Sequence, residues 1–336
     1  MAPADLVFVD RAPAAMPDQP TLMVVVDTEE EFDWTSPFSR DATTVTAMRH
    51  IDRLQRLCDR VRLTPTYVID YPVATQPLGY ETLAGWAREG RCCIGAHLHP
   101  WVNPPFDEPL NGPNSFMRNL SPQLQHAKMR ELYDAIVANT GAQPRTFKAG
   151  RYGIGWAALA AFDGLGLAVD ASVNPCMNFA AEGGPDFSAF DCKPFWIDRD
   201  RQLLEVPCTH GFVGWARRLG QWLRGAAESM QRLAMPGILK RIGAVDRVML
   251  SPEGNSLQEM VALTRALLAN GVTLFTLTLH SPSVVPGHTP YVRSQADLST
   301  FLTTIERYFE FFFGELGGIS STPERFRQDL LGRVTA

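Results

Sequence analysis

The chain has 336 residues, 45% of them hydrophobic and 20% charged, the make-up of an ordinary globular enzyme. A formal net charge of -5 argues against a nucleic-acid surface, which needs clustered positive charge. No run approaches the ~18 apolar residues of a membrane span. The first twenty residues mix Asp, Arg and Pro without the apolar centre of a signal peptide, so a cytoplasmic location is expected.

Residues 1–20 read as a loose arm, 21–320 as one domain and 321–336 as a tail. Residues 21–26 form a continuous, largely β-branched run, the pattern of a strand buried on both faces of a parallel sheet. It stops at the acidic turn Asp27-Thr28-Glu29-Glu30-Glu31. Val45, Met48, Ile51, Leu54, Cys58 and Val61 recur at helical spacing over 43–62. Residues 66–70 make a second strand, and a helix around 80–89 ends at Gly90. Residues 92–99 make a third strand.

The long loop 104–120 is rich in Pro and Asn, as binding loops are, and Asn103, Asn111, Asn114, Arg118 and Asn119 are expected to meet a substrate there. Ser121-Pro122 opens a helix with an N-cap and a proline in its first turn, and Gly141 closes it. Further strands are expected at 146–151, 167–173, 203–209 and 272–279, with helices at 156–162, 257–268 and 297–316. The aromatic stripe of the last helix (Phe301, Tyr308, Phe309, Phe312, Phe313) reads as core.

Residues 210–246 are weakly helical, and 247–250 are a short strand or an edge. Arg217, Arg218, Arg224, Arg232, Lys240, Arg241 and Arg247 make 213–250 locally basic, a solvated face or a contact for an anionic substrate. The six cysteines show no Cys-x-x-Cys and read as reduced thiols.

Alternating strands and helices imply a parallel sheet. An acidic turn instead of a glycine-rich one after the first strand weighs against a dinucleotide fold. Asp27, His97, Arg151, Asp170 and His280 lie at the C-terminal ends of separate strands, where a parallel β/α barrel collects its active site. His97 and His99 are two apart, so in a strand they face one side and can ligate a metal together. Alternatively, one is a loop histidine and the other a hydrogen-bonded structural one. Asp27 and Glu29 are also two apart, and such a pair repels unless a cation or proton lies between them. One could ligate the metal while the other acts as a base; a solvated turn is the competing reading.

Taken together, the exits resemble the five motifs of the polysaccharide deacetylase superfamily, carbohydrate esterase family four and its intracellular relatives, as a divergent member. Val26-Asp27-Thr28-Glu29 resembles the acidic first motif, and Ile94-Gly95-Ala96-His97 the start of the second. Four positions on, where the family has its second histidine, stands Trp101, and His99 comes earlier. Ala149-Gly150-Arg151-Tyr152-Gly153, Val169-Asp170-Ala171-Ser172 and Thr278-Leu279-His280-Ser281 resemble the remaining three.

The resemblance implies a distorted α/β barrel of about seven parallel strands. It also implies deacetylation of an N-acetylated sugar or saccharide precursor used in surface polysaccharide synthesis. A divalent metal, zinc foremost, would be held by Glu29, His97 and His99. Asp27 would be the base, with Arg151 paired to it. His280 would be the acid, with Asp170 keeping it cationic. Backbone N–H groups of residues 151–154 would add to oxyanion stabilisation. Two other readings are an allantoinase-like hydrolase of cyclic amides or ureides, and a catalytically inactive sugar-binding relative.

Overall fold

The structure is a computed structural model and describes residues 11–34, 36–155, 157–198, 200, 203–216 and 246–334. Ala12–Pro13 (β1) is a two-residue edge strand, and Thr21–Thr28 (β2) follows it, buried at all eight positions. Continuous burial explains the apolar run: β2 has parallel neighbours on both sides. Chain order then runs through Asp52–Arg60 (α1), Thr66–Ile69 (β3), Tyr71–Thr75 (α2), Pro77–Arg88 (α3), Cys93–Leu98 (β4), Pro122–Thr140 (α4), Thr146–Ala149 (β5), Ala158–Ala161 (α5) and Val169–Asp170 (β6). Phe195–Trp196 (β7), Leu204–Glu205 (β8), His210–Val213 (β9), Asp246–Met249 (β10), Leu257–Leu268 (α6), Leu274–His280 (β11), Gln295–Phe309 (α7), Ile319–Ser320 (β12) and Pro323–Val334 (α8) complete it.

The main sheet runs β1-β7-β8-β6-β5-β4-β3-β2-β11, with β12 also on β2. From β8 to β11 every ladder is parallel, seven strands in all; β1 and β7 are antiparallel additions at one end. The two ends of the parallel run meet without a ladder. Leu250 N–H donates to Thr209 O (2.8 Å) and Thr278 N–H to Leu250 O (3.1 Å), while Thr276 N–H reaches Thr209 Oγ1 (2.8 Å). Cys208 N–H donates to Val173 O (2.9 Å), holding the segment after β8 along β6. The expected barrel therefore closes through single hydrogen bonds, which is the form its distortion takes.

Register positions the site. His280 pairs with Asp27, His97 with Lys148, Phe147 with Asp170, and Asp170 with Glu205. The helix expected over 43–62 is divided into the tight turn Thr46–His50 and α1, and the helix expected over 297–316 widens into a π turn at Glu310–Glu315. Residues 321–336, set apart above as a tail, carry α8, whose Phe326 and Leu330 pack with Met23, Val169, Leu204 and Leu274. Loop 104–120 is tied down by Lys128, a buried ammonium that donates to the carbonyls of Pro100 (3.0 Å), Asn103 (2.6 Å) and Pro105 (2.7 Å) and pairs with Glu108. All six cysteines are free thiols. Trp156 and the basic residues Arg217, Arg218, Arg224, Arg232, Lys240 and Arg241 lie outside the described residues; Arg247 sits in β10 and donates to Cys176 O. Among the described residues no helix is long and apolar enough to cross a membrane.

Candidate active site

β4 ends by turning two imidazoles to one side. His97 and His99 are both buried, their ring centroids are 4.6 Å apart, and each Nε2 lies 3.3 Å from Glu29 Oε2. Glu29 follows directly on β2, its backbone N–H donating to Ser281 Oγ at the exit of β11 (3.1 Å). The three donor atoms lie within 4.8 Å of one another. This is the set that the resemblance implies; the i, i+2 spacings alone leave open which of Asp27 and Glu29 joins the histidines.

The far nitrogens of the rings are already committed. His97 Nδ1 is 2.9 Å from Lys148 O; a carbonyl only accepts, so the proton is on Nδ1. His99 Nδ1 meets Glu30 Oε2 at 2.7 Å, and its Nε2 is buried with no hydrogen-bond partner. Burial disfavours a charged His99, but Glu30 and Glu29 outweigh it and raise its pKa well above the ordinary value. Burial also pushes Glu29 upward, yet His280, His97 and His99 hold it below the usual carboxylate range. Positive charge thus belongs at the meeting point of Glu29 and the two Nε2 atoms, as a proton or as a cation. Two neutral imidazole nitrogens and one carboxylate, with room for a further ligand on the cavity side, fit a divalent metal such as zinc.

Glu30 supports this set from behind. Fully buried, it also accepts from Trp101 Nε1 (2.8 Å), and the Trp101 ring stacks on His99 at 4.2 Å. Glu30 N–H donates to Asp70 Oδ2 (2.8 Å), while Asp70 Oδ1 caps α2 through Val73 N–H (2.8 Å). Burial, with Glu30 alongside, lifts Asp70 well above its usual range; burial lifts Glu30 too, but the charge of His99 and the hydrogen bond from Asp70 bring it below. Gly150 closes the other side. A Cβ there would meet His99 Cδ2 at 2.3 Å and Leu98 O at 2.7 Å, so the turn after β5 can rest on the ring only as glycine.

Asp27 is held differently from the expectation. Its partner is not Arg151 but Lys148, whose Nζ donates to Oδ1 (2.7 Å), to Oδ2 (2.8 Å) and to Thr278 Oγ1 (2.8 Å). Alternation within β5 explains this: Phe147 packs outward on Phe162, so Lys148 points into the barrel. Arg151 lies past the strand in a left-handed conformation (φ 52°), which carries its side chain to the rim. There it pairs with Glu182, donates to Ser115 Oγ (2.5 Å) and lies 4.1 Å over the ring of Phe116.

His280 is likewise held by an unexpected carboxylate. Glu253 Oε2 is 2.7 Å from Nδ1, Glu253 Oε1 accepts the His280 backbone N–H (3.1 Å), and Nε2 is 3.8 Å from Asp27 Oδ2. Burial lowers the His280 pKa, but Glu253 and Glu29 outweigh it and raise it to about 10. Asp170, expected in the role of Glu253, instead meets Ser172 Oγ (2.5 Å) and the buried Glu205. Burial lifts Asp170 to about 6, and burial with Asp170 alongside lifts Glu205 well above its usual range. Of the turn N–H groups expected for an oxyanion, those of Gly153 and Ile154 are taken by Gly150 O and Tyr152 O.

Asp27, Glu29, His97, His99 and His280 line one cavity of about 270 Å³, with Trp34, Arg151 and Tyr291 at its mouth. None of Asn103, Asn111, Asn114, Arg118 and Asn119 lines it; the asparagines serve turns of their own loop and its anchors. Lys148, Glu253 and Glu30 are residues of the site that the sequence reading passes over. An isolated lysine in an apolar strand and the second of three glutamates in an acidic run are the only signals they leave.

No family model matches the chain, and no curated protein matches it by sequence. Solved structures do. One described as a candidate polysaccharide deacetylase from Mycobacterium smegmatis is 13% identical, with a TM-score of 0.56 over 97% of this chain and 96% of that one. A CE4 family pseudoenzyme from Bacillus anthracis is 9% identical over 94% of this chain and 68% of its own, with a TM-score of 0.42. The CE4 domain of a multidomain xylanase from the hindgut metagenome of Trinervitermes trinervoides is 11% identical over 95% and 93%, also at 0.42. The last two overlaps are too low to add to the assignment. The first shows a shared fold, an α/β barrel like that of the structure it resembles. Within that fold this chain carries Asp27-Thr28-Glu29 at the exit of β2 and His97-Leu98-His99 at the exit of β4.

Proposed function

We propose that the chain is a metal-dependent amide hydrolase that removes the acetyl group from a small N-acetylated saccharide, such as a precursor used in building surface polysaccharide. The observation that carries the reading is the unpartnered, buried Nε2 of His99, facing Glu29 and His97 in the cavity that also holds Asp27 and His280. A divalent ion on these three donors, zinc by their chemistry, would supply Lewis acidity at the amide carbonyl and lower the pKa of water.

The chain's own groups supply the proton transfers. Asp27, clamped through both oxygens by Lys148, accepts the proton of the water whose oxygen bonds to the acyl carbon. His280, kept protonated by Glu253, gives its Nε2 proton to the nitrogen as the C–N bond breaks. Acetate and a free amine result. A base, an acid and a metal-donor set together are what an inactive relative has no need to keep. A cavity of about 270 Å³ suits a single sugar unit, and Trp34 and Tyr291 offer flat faces at its mouth.

The test separates ligand from base. Glu29→Gln should lose bound zinc by elemental analysis. Asp27→Asn should retain it while acetate release from N-acetylated saccharides falls about 10²- to 10⁴-fold. Normal activity in both variants would remove the assignment.

A further inference from the structure

Displacement of Arg151 from Asp27 leaves a guanidinium at the cavity mouth that the proposed reaction does not use. Its setting is not that of an ordinary surface ion pair, which holds two mobile, solvated side chains. Arg151 lies 4.1 Å over the ring of Phe116 and 5.3 Å from that of Phe38, and Ser115 Oγ accepts from Nη1 at 2.5 Å. Its side chain is only 17% exposed, whereas that of its acidic partner, Glu182, is 60% exposed. One partner is fixed and the other is free to leave.

The backbone adds a second observation. Arg151 and Tyr152 are consecutive non-glycine residues with left-handed φ values, 52° and 59°. Such strain persists only where packing enforces it, and it clusters at ligand-handling positions. Here the packing comes from the site: Gly150 rests on the His99 ring, and Tyr152 stacks on Phe179 (5.6 Å) with Lys148 over its face (5.3 Å). The turn therefore carries the guanidinium fork to the same cavity as Asp27 and His280. Guanidinium matches carboxylate and phosphate in two-pronged geometry.

We infer that Arg151 anchors an anionic group, a carboxylate or phosphate, on the N-acetylated saccharide, and that Glu182 is the carboxylate this group displaces. The inference rests on the hydrolase reading for the acetamido end of the ligand; the anionic end is its own claim. The substrate is then an acidic amino sugar or a sugar phosphate, not a neutral oligosaccharide.

Binding tests this without turnover. In full-length protein carrying Asp27→Asn, so that probes are not consumed, calorimetry compares N-acetylglucosamine, its 6-phosphate and the corresponding 2-acetamido uronic acid. At least one charged probe should bind about 10- to 100-fold tighter than the neutral sugar, and which one it is distinguishes phosphate from carboxylate. Adding Arg151→Gln should bring the ratio of charged to neutral affinity close to one, and Arg151→Lys should restore part of it. Glu182→Gln, at an exposed position where folding is not at stake, should widen the ratio by a few-fold, because it removes the competing carboxylate. A pair that merely ties two loops together moves neither ratio. A ratio near one for both charged probes, or one that survives Arg151→Gln, overturns the inference. Acetate release by the native chain without charge preference would sink it and leave the hydrolase reading intact. Arg151-dependent charge preference without acetate release from any probe would sink the hydrolase reading alone.

Discussion

Replacing Lys148 with methionine removes the cation from the middle of the barrel and leaves Asp27 buried beside an apolar side chain. Breaking a buried pair from one side costs about 3–5 kcal/mol, since the remaining charge keeps only the more distant His280, 3.8 Å away. Thr278 Oγ1 also loses a donor, about 1 kcal/mol more. A loss near 5 kcal/mol is a large share of the roughly 5–15 kcal/mol by which domains are stable. With a urea m-value of about 3 kcal/mol per M, the unfolding midpoint should fall by about 1.7 M.

The double variant Lys148→Met with Asp27→Asn removes both charges and should recover about half of that loss or more, a coupling that a double-mutant cycle reads directly. Burial lowers the Lys148 pKa, but Asp27 outweighs it and the net shift is upward. A raised basic group stabilises fully below its ordinary pKa of about 10.4 and loses that contribution only as pH climbs through the raised value. Lys148's share of the gap between wild type and Lys148→Met should therefore stay level from about pH 6 to about pH 9. A loss below about 1 kcal/mol, or strictly additive single variants, would refute the reasoning.

Two further outcomes are expected. Glu30→Gln leaves His99 without its orienting carboxylate, so zinc affinity measured by chelator competition should fall about 10- to 100-fold, while Glu30→Asp should retain part of it; unchanged affinity would make Glu30 a packing residue only. In metal-free protein, the His280 ring should stay protonated by NMR until about pH 10, and Glu253→Gln should bring that titration down. Because the folded value lies above the ordinary 6.5, the stabilisation from this pair is complete below about pH 6.5 and fades as pH rises toward 10. A titration unmoved by Glu253→Gln would show that the histidine takes its charge from elsewhere.

How much of this was legible in the sequence depended on distance along the chain. That His97 and His99 face one side follows from period-two alternation, information that is entirely local, whereas Glu29 rather than Asp27 as their partner comes with the family resemblance. The barrel follows from alternating elements and polar strand exits. Lys148 and Glu253 were not legible, because each matters only through a partner: Asp27 lies 121 residues from Lys148, and His280 lies 27 from Glu253. Arg151 was misjudged for a conformational reason. One left-handed residue past a strand end reverses where the side chain points, and nothing in Ala149-Gly150-Arg151-Tyr152 announces that neither Arg151 nor Tyr152 keeps the right-handed region. Asp170 is buried beside a second carboxyl contributed by β8, thirty-five positions downstream, a pairing that only the sheet order reveals.

The swap of Lys148 for Arg151 separates two tasks that a shared arginine would join. Asp27, His97, Lys148 and His280 all belong to barrel strands, while Trp34, Arg151, Glu182 and Tyr291 stand on the connections above them. In the proposed reaction, bond cleavage belongs to the frame and ligand choice to its trim. For an engineer, the connections become the graftable part: a turn exchanged around Glu182 should redirect selectivity and leave Asp27 and His280 seated where β2 and β11 hold them.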